Sequence, residues 1–156
     1  MRNSVRMTAV GACVLGCGLL LQGSAADATQ GHDRTHTTRL HFDVEFSPFS
    51  YTDLGPRGPG APDAIVFHDK LLRGGRQVGD DVGSCVMVEA AGLANCTGVV
   101  RLRGGTIAFA LVNSPPPTKQ LALTGGSGRY LTVRGDGTLV EFGNGKGTMD
   151  LRLVTR

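Results

Sequence analysis

An apolar strand that runs into a glycine turn is encoded by the stretch KQLALTGGSGRY, residues 119–130. Leucines alternate with other residues in its first half, and Gly-Gly-Ser-Gly follows at residues 125–128. Glycine adopts the positive φ angles of tight reversals because it carries no Cβ. Taken alone, the stretch predicts a turn in a β-protein.

Similar strand signatures recur along the chain. Residues 40–46 alternate strictly, with Leu40, Phe42, Val44 and Phe46 on one face. Further strands are predicted, between turns rich in glycine and proline, at residues 64–72, 77–79, 82–88, 97–102, 106–112, 120–124, 130–133, 138–142 and 146–154. This pattern predicts an all-β domain, and it fits a sandwich and a closed antiparallel barrel equally well.

Residues 1–28 have the composition of a secretory signal peptide. Arg2 and Arg6 precede an uncharged apolar run at residues 9–21, and small residues at 24–28 offer cleavage sites. The run is too short for a typical membrane span. An uncleaved anchor and a lipoprotein attached at Cys17 are the alternatives. The sequence predicts a secreted protein with a flexible arm at residues 29–38 and one domain at residues 39–156.

Two cysteines, Cys85 and Cys96, remain once residues 1–28 are set aside. An even pair in an exported protein predicts a disulfide. A turn near residues 90–92 would place the two cysteines opposite each other on neighbouring strands, where a bridge can form. Two reduced thiols are the alternative.

The sequence lacks the motifs that are typical of several function classes. The net charge is only +3, and basic and aromatic residues do not interleave, so no nucleic-acid surface is predicted. The sequence contains no phosphate-binding loop, no activated Ser-His-Asp set and no complete metal site. It therefore predicts no metal and no cofactor.

Three segments, in order, resemble the allene oxide cyclase family and, more loosely, related bacterial barrels and plant dirigent proteins. They are IVFHDKL at residues 65–71, VGDDVGSCV at residues 78–86 and TGGSG at residues 124–128. The resemblance implies a small, closed, eight-stranded antiparallel barrel of the calycin type with a central apolar pocket. It also implies catalysis by confinement, in which the pocket folds a flexible apolar substrate into its ring-closing conformer.

The resemblance assigns Ile65, Phe67, Asp69 and Cys85 to the pocket. The first three are spaced two apart, so a strand places them on one face. The family carries an asparagine where this chain has Asp69, and a carboxylate changes both charge and hydrogen-bonding capacity. Asp69 is the first candidate catalytic residue, and Glu45 is the second.

Two orientations are open to Glu45. If it faces the lumen, then Phe42, Val44 and Phe46 face outward, into a contact between copies of the chain. If the apolar face of the strand packs inward, Glu45 is solvated. Asp80 and Asp81 are interpreted as solvated carboxylates in a turn, because adjacent strand residues point to opposite faces.

The function that follows is a barrel that orients an apolar molecule, derived from a polyene, fatty acid or polyketide, for cyclisation or isomerisation. A non-catalytic, dirigent-like or lipocalin-like binding protein for an apolar ligand is the alternative. A structural barrel without a ligand is a third hypothesis, because fold does not determine function. A homo-oligomer is compatible with each of them.

Overall fold

One antiparallel sheet that closes on itself forms the domain. The computed structural model describes residues 35–155, so the predicted signal peptide and residues 29–34 of the predicted arm lie outside the described residues. The strands are β1 (His36–Glu45), β2 (Ser50–Thr52), β3 (Ala64–Arg73), β4 (Arg76–Met87), β5 (Ala94–Leu102), β6 (Gly105–Asn113), β7 (Thr118–Gly126), β8 (Arg134–Glu141) and β9 (Lys146–Thr155). The helical structure of residues 35–155 is a single 3₁₀ turn, Gly128–Tyr130, which is far too short to cross a bilayer.

The strands lie in the order β1-β9-β8-β7-β6-β5-β4-β3, and β1 also pairs with β3. This last ladder closes eight strands into a barrel, so the barrel expectation is confirmed and the sandwich alternative is wrong. Closure removes the free sheet edges and leaves an interior of about the size of one small ligand. The short β2 pairs with the same edge of β3 as β1, beyond the closing ladder.

The closing ladder between β1 and β3 is short. It contains three residue pairs, at residues 70–72 of β3, whereas β1 and β9 share ten. The other end of the same β3 edge, residues 64–66, pairs with β2. The chain from β1 through β2 therefore runs along one edge of β3, toward the end of the barrel where β3 begins.

Side chains of alternating strand residues fill the interior, as the period of two predicts. Phe42 and Val44 are buried, so the apolar face of β1 packs inward and does not form the outward contact considered above. Leu71, Val100 and Ile107 are fully buried at the opposite end of the barrel from β2. The apolar core thus fills one end of the barrel and leaves the other end open.

Several strand boundaries differ from the sequence prediction, and β2 was not predicted. Residues 36–38, placed in the flexible arm, pair with β9 because the backbone ladder continues beyond the apolar face. Residues 77–79 and 82–88 belong to one strand, β4, except for Val88. Residues 130–133 are not a strand, because the amides of Tyr130, Leu131 and Val133 each donate to a carbonyl three residues earlier.

The glycine run at residues 125–128 serves close backbone packing as well as turning. Gly128 has a φ of +59°, as the turn prediction requires, but Gly125 and Gly126 do not have positive φ. A Cβ at Gly126 would overlap the carbonyl of Thr106. The run therefore lets the end of β7 pack directly onto the start of β6.

Candidate functional site

The open end of the barrel holds a cavity of about 420 Å³. This volume lies within the range of small-molecule sites. The cavity is lined by Phe46, Ser47, Phe49, Ile65, Phe67, Asp69, Asp81, Cys85, Cys96, Phe109, Leu111, Asn113, Lys119, Leu139, Glu141, Gly143 and Gly145. Most of these side chains are apolar, so the walls suit an apolar ligand.

The structure places Ile65, Phe67 and Asp69 together on the cavity wall. The residues between them, Val66 and His68, point to the exterior and are exposed. The strand period therefore brings together the three residues that the resemblance assigned to the pocket. Their roles in binding or chemistry stay predictions.

Cys85 and Cys96 form a disulfide that lies on the same wall. They are paired directly opposite each other on β4 and β5, which is the register expected from the turn at residues 90–92. Bridged sulfur cannot act as a thiol, so Cys85 contributes to the cavity as an apolar wall residue.

Reduction of this disulfide should destabilise the barrel. The two cysteines are 11 residues apart, and closing a loop of that size stabilises by about 3 kcal/mol in the chain-entropy model. Denaturant unfolding with and without reductant measures the difference. The Cys85→Ser/Cys96→Ser double variant should be insensitive to reductant, and an unchanged unfolding midpoint for the reduced wild type would contradict the prediction.

Two phenylalanine rings lie over glycines in the middle of the wall. Phe67 pairs with Gly83, Gly83 with Gly98, and Gly98 with Phe109, in one row across β3, β4, β5 and β6. A Cβ at Gly83 would overlap the Phe67 ring, and a Cβ at Gly98 would overlap the Phe109 ring. The glycines therefore let both rings lie flat against the sheet, which leaves the lumen open between them.

Two carboxylates face each other at the inner end of the cavity. Asp69 on β3 and Asp81 on β4 are direct partners across the ladder, and both line the cavity. Both are buried, with Asp81 only 3% exposed. We call this pair the carboxylate floor.

The two carboxylates of the floor have different surroundings. The backbone amide of Ser47 donates a hydrogen bond of 2.8 Å to Oδ1 of Asp69. Burial raises the pKa of Asp69, and this hydrogen bond opposes the increase. Burial, together with the nearby charge of Asp69, raises the pKa of Asp81 to about 7, and Oδ1 of Asp81 has no hydrogen-bond partner among the described residues. Asp69 is thus the better anion and Asp81 the better acid.

Asp81 is the site residue that the sequence interpretation missed. Residues 80 and 81 lie inside β4 and not in a turn, so only one of them faces solvent. Asp80 points outward and accepts two hydrogen bonds from Arg101, of 2.7 and 2.6 Å. The spacing of four between Asp81 and the assigned pocket residue Cys85 could have indicated that both share the inner face.

Glu45 does not line the cavity. It lies on the outer face of β1, where its carboxylate is 3.9 Å from the ammonium of Lys70 and nearly half exposed. Its assignment as a lumen residue is wrong, because the apolar residues of β1 pack inward. The next residue, Phe46, follows the end of the strand and lines the cavity.

Opposite charges meet at the cavity opening. The ammonium of Lys119 donates to the carbonyls of Ser114 and Pro116, at 2.6 and 2.9 Å, and lies 3.8 Å from the carboxylate of Glu141. Lys119 is buried by these contacts. Its charge is therefore already balanced by a neighbouring acid and two carbonyl oxygens.

Asp63 holds the loop between β2 and β3 through hydrogen bonds. It is fully buried, and its carboxylate accepts hydrogen bonds from the hydroxyl of Tyr51 and the amides of Leu54 and Gly60. The Tyr51 hydroxyl contributes most to lowering the pKa of Asp63. One ionised side chain thus fixes the loop between β2 and β3.

Comparison with known proteins supports the barrel. No protein-family model and no curated protein sequence matches the chain. A pyocyanin demethylase of known structure is 25% identical, with a TM-score of 0.68 over 74% of this chain and 99% of that protein. The pterocarpan synthase dirigent protein PsPTS1 is 18% identical, with a TM-score of 0.59 over 78% of this chain and 96% of that protein.

A third similar structure is the Diels–Alderase AbmU from Streptomyces koyangensis. It is 15% identical, with a TM-score of 0.61 over 83% of this chain and 72% of that protein. The chain therefore has the fold of dirigent and cyclase barrels, as expected from its sequence. A specific relationship to allene oxide cyclases stays a prediction.

Proposed function

We propose that this protein is an exported acid–base enzyme that isomerises or cyclises an apolar small molecule inside its barrel. The carboxylate floor carries this proposal. Two carboxyl groups that face each other in a desolvated site hold one proton between them more readily than none. One can then accept a proton while the other donates one.

A proton shift within the substrate is the reaction that fits this pair. The carboxylate of Asp69 removes a proton from one substrate position, and the carboxylic acid of Asp81 delivers its proton to another. A double bond moves or a ring closes, and the molecular formula of the substrate does not change. Transfer of a proton from Asp69 to Asp81, its direct partner on the next strand, then restores the starting state.

The carboxylate floor favours an enzyme over the non-catalytic binding alternative. An ionisable group buried without a full set of hydrogen bonds costs free energy. An apolar side chain at either position would hold an apolar ligand equally well without that cost. Buried acids with raised pKa values in a cavity are typical of catalytic sites.

The similar structures support the same proposal. Their names describe a demethylase, a Diels–Alderase and a dirigent protein, and the demethylase matches over nearly its whole length. For this chain they suggest a barrel used for small-molecule chemistry. Export is supported by the composition of residues 1–28 and by the disulfide, a bond that persists in oxidising compartments.

The ring opening of 5-nitrobenzisoxazole tests the acid–base function without knowledge of the natural substrate. A base removes the proton from carbon, the N–O bond breaks, and the nitrophenol product is an isomer of the probe that can be followed by its absorbance. We expect the wild type to accelerate this reaction. Asp69→Asn preserves the shape of the side chain but removes the base, so the rate should fall by roughly 100-fold.

Glu45→Gln is the matched control, because it removes a carboxylate from the outer face of the same barrel. It should retain the wild-type rate. Binding of the uncharged apolar dye Nile red should persist in all three proteins. Equal rates for Asp69→Asn and wild type would remove Asp69 from the mechanism, and dye binding without any acceleration would favour the non-catalytic alternative.

A further inference from the structure

The charges that line the cavity are unevenly distributed. Of the described lining residues, four carry ionisable side chains: Asp69, Asp81, Lys119 and Glu141. Lys119 and Glu141 lie together near the opening and balance each other. The carboxylate floor has no basic side chain of the lining beside it, so negative charge at the inner end is uncompensated within the cavity.

Asp81 adds an unused acceptor to this charge. Asp81 is only 3% exposed, and its Oδ1 has no hydrogen-bond partner among the described residues. Buried polar atoms are nearly always hydrogen-bonded in native proteins. Because Asp81 lines the cavity, a bound ligand is the group that can supply the missing donor or a positive charge.

A metal ion is a poor candidate for this positive charge. The described residues contain no group of three or more histidine, cysteine, aspartate or glutamate side chains that could hold a metal. Two carboxylates alone supply few of the six or more oxygen ligands that hard divalent cations require. An organic cation needs no such coordination shell.

The wall next to the floor has the chemistry that receives organic cations. Phe67 is two residues from Asp69 on the same face of β3, and Phe109 lines the cavity in the same row of the wall as Phe67. Aromatic rings attract organic cations through the negative charge of their faces, and ammonium sites combine such rings with acidic groups. The remaining wall is apolar.

We infer that the natural ligand carries a cationic nitrogen that sits at the carboxylate floor, while its apolar body lies against Phe67 and Phe109. The inference rests on the proposed function in that it concerns the same cavity, and it names the class of substrate. An apolar molecule without a positive charge would leave the buried acceptor unpaired. A molecule with an anionic end would be repelled by the two carboxylates.

Binding of such a ligand should release a proton. On the neighbouring strands, Asp81 is paired with Asp69 of β3 and with the apolar Val100 of β5. The negative charges of Asp80 and Glu141 act on this pair, on Asp81 and Asp69 respectively, and Lys119 lines the same cavity. A cation placed at the floor favours the ionised form of Asp81. Near pH 6.5, where Asp81 would otherwise hold its proton, a cationic ligand should therefore displace this proton from part of the bound molecules. The remaining part, in which Asp81 is still protonated, is the one that can carry out the proposed reaction.

Three naphthalene probes with a cationic, a neutral and an anionic side chain test the inference. They are (1-naphthylmethyl)trimethylammonium, 1-naphthylmethanol and 1-naphthylacetate, titrated calorimetrically against the full chain at pH 8. The cationic probe should bind at least tenfold more tightly than the neutral probe, and the anionic probe should bind most weakly. At pH 6.5, titrations in buffers of different ionisation enthalpy should show up to one proton released per cation bound.

Asp81→Asn should abolish the proton release and bring the cationic and neutral probes to within about threefold of each other. Asp80→Asn is the matched control, because it removes the adjacent carboxylate from the outer face. It should preserve both the preference and the proton release. Asp69→Asn provides a second test of the floor and should also reduce the preference.

The outcomes separate the inference from the proposed function. If the neutral probe binds and the cationic probe binds equally or more weakly, the inference is wrong while the cavity remains a binding site. If the cation is preferred but Asp81→Asn keeps the preference and the proton release, the floor is not its site and the inference is also wrong. If no probe binds, the proposed use of the cavity fails together with the inference.

Discussion

Asp81→Asn should stabilise the barrel at alkaline pH, by up to about 4 kcal/mol at pH 8.5. The pKa of Asp81 is raised from about 3.9, the value in an unfolded chain, to about 7 in the folded protein. Each pH unit between these two values is worth about 1.4 kcal/mol. Burial of the ionised side chain, with Asp69 opposite, is the physical reason for this destabilisation.

The pH dependence has a definite sign. Between about pH 4 and pH 7 the folded protein holds the Asp81 proton and the unfolded chain does not, so wild-type stability falls as pH rises through this window. The loss is complete above pH 7. Asp81→Asn removes this dependence, so the two proteins should differ little near pH 4.5 and most at pH 8.5, as measured by denaturant unfolding.

Asp80→Asn is again the appropriate control. Hydrogen bonds from Arg101 hold the pKa of Asp80 below its ordinary value, so ionised Asp80 stabilises the fold and loses this effect only in acid. Its substitution should lower stability at pH 8.5. A wild-type stability that is constant from pH 4.5 to pH 8.5, or an equal response of the two variants, would contradict the burial of an acidic Asp81.

Phe109→Ala should lower the free energy of unfolding by about 3–5 kcal/mol. Phe109 is 2% exposed, and its ring fills the space over Gly98. Gly98 has no side chain that could take the place of this ring. Removal of the ring leaves a void beside the cavity that the neighbouring glycine cannot fill. Denaturant unfolding at pH 7 measures the loss, and the enlarged lumen should admit bulkier apolar probes than the wild type.

Phe49→Ala is the matched control for this substitution. Phe49 also lines the cavity, but it lies at the opening and is 64% exposed. Its replacement should change stability by no more than about 0.5 kcal/mol. Equal losses for the two variants would show that Phe109 does not pack as an interior residue.

The alternation of side chains made much of the barrel predictable. The strict period in residues 40–46 and the apolar runs that follow indicated strands, and the cysteine pair indicated the register of β4 and β5. The pattern could not choose between a sandwich and a barrel, because both bury one face of each strand. That choice depends on the β1–β3 ladder, which joins segments distant in the sequence and cannot be predicted from local sequence patterns. The family resemblance implied it, because a closed barrel requires such a ladder.

The candidate site was predictable only in part, for a related reason. Ile65, Phe67 and Asp69 could be placed on one face from their spacing alone. Asp81 was missed because two adjacent aspartates look like a solvated turn, and only the continuity of β4 turns one of them inward. Glu45 was undecided because the choice of face depends on which side of β1 meets the core.

The short closing ladder has a consequence for the chemistry of the barrel. Just beyond its last pair, Glu45–Lys70, the wall between the end of β1 and β3 is held by the Ser47 amide, whose acceptor is Oδ1 of Asp69. A carboxylate accepts this bond more strongly than a carboxylic acid does. The group that serves as base in the proposed reaction thus also holds the end of β1 against β3. Protonation of Asp69 weakens the hydrogen bond from the Ser47 amide. The protonation state of the site and the stability of the contact between β1 and β3 are therefore linked through one oxygen atom.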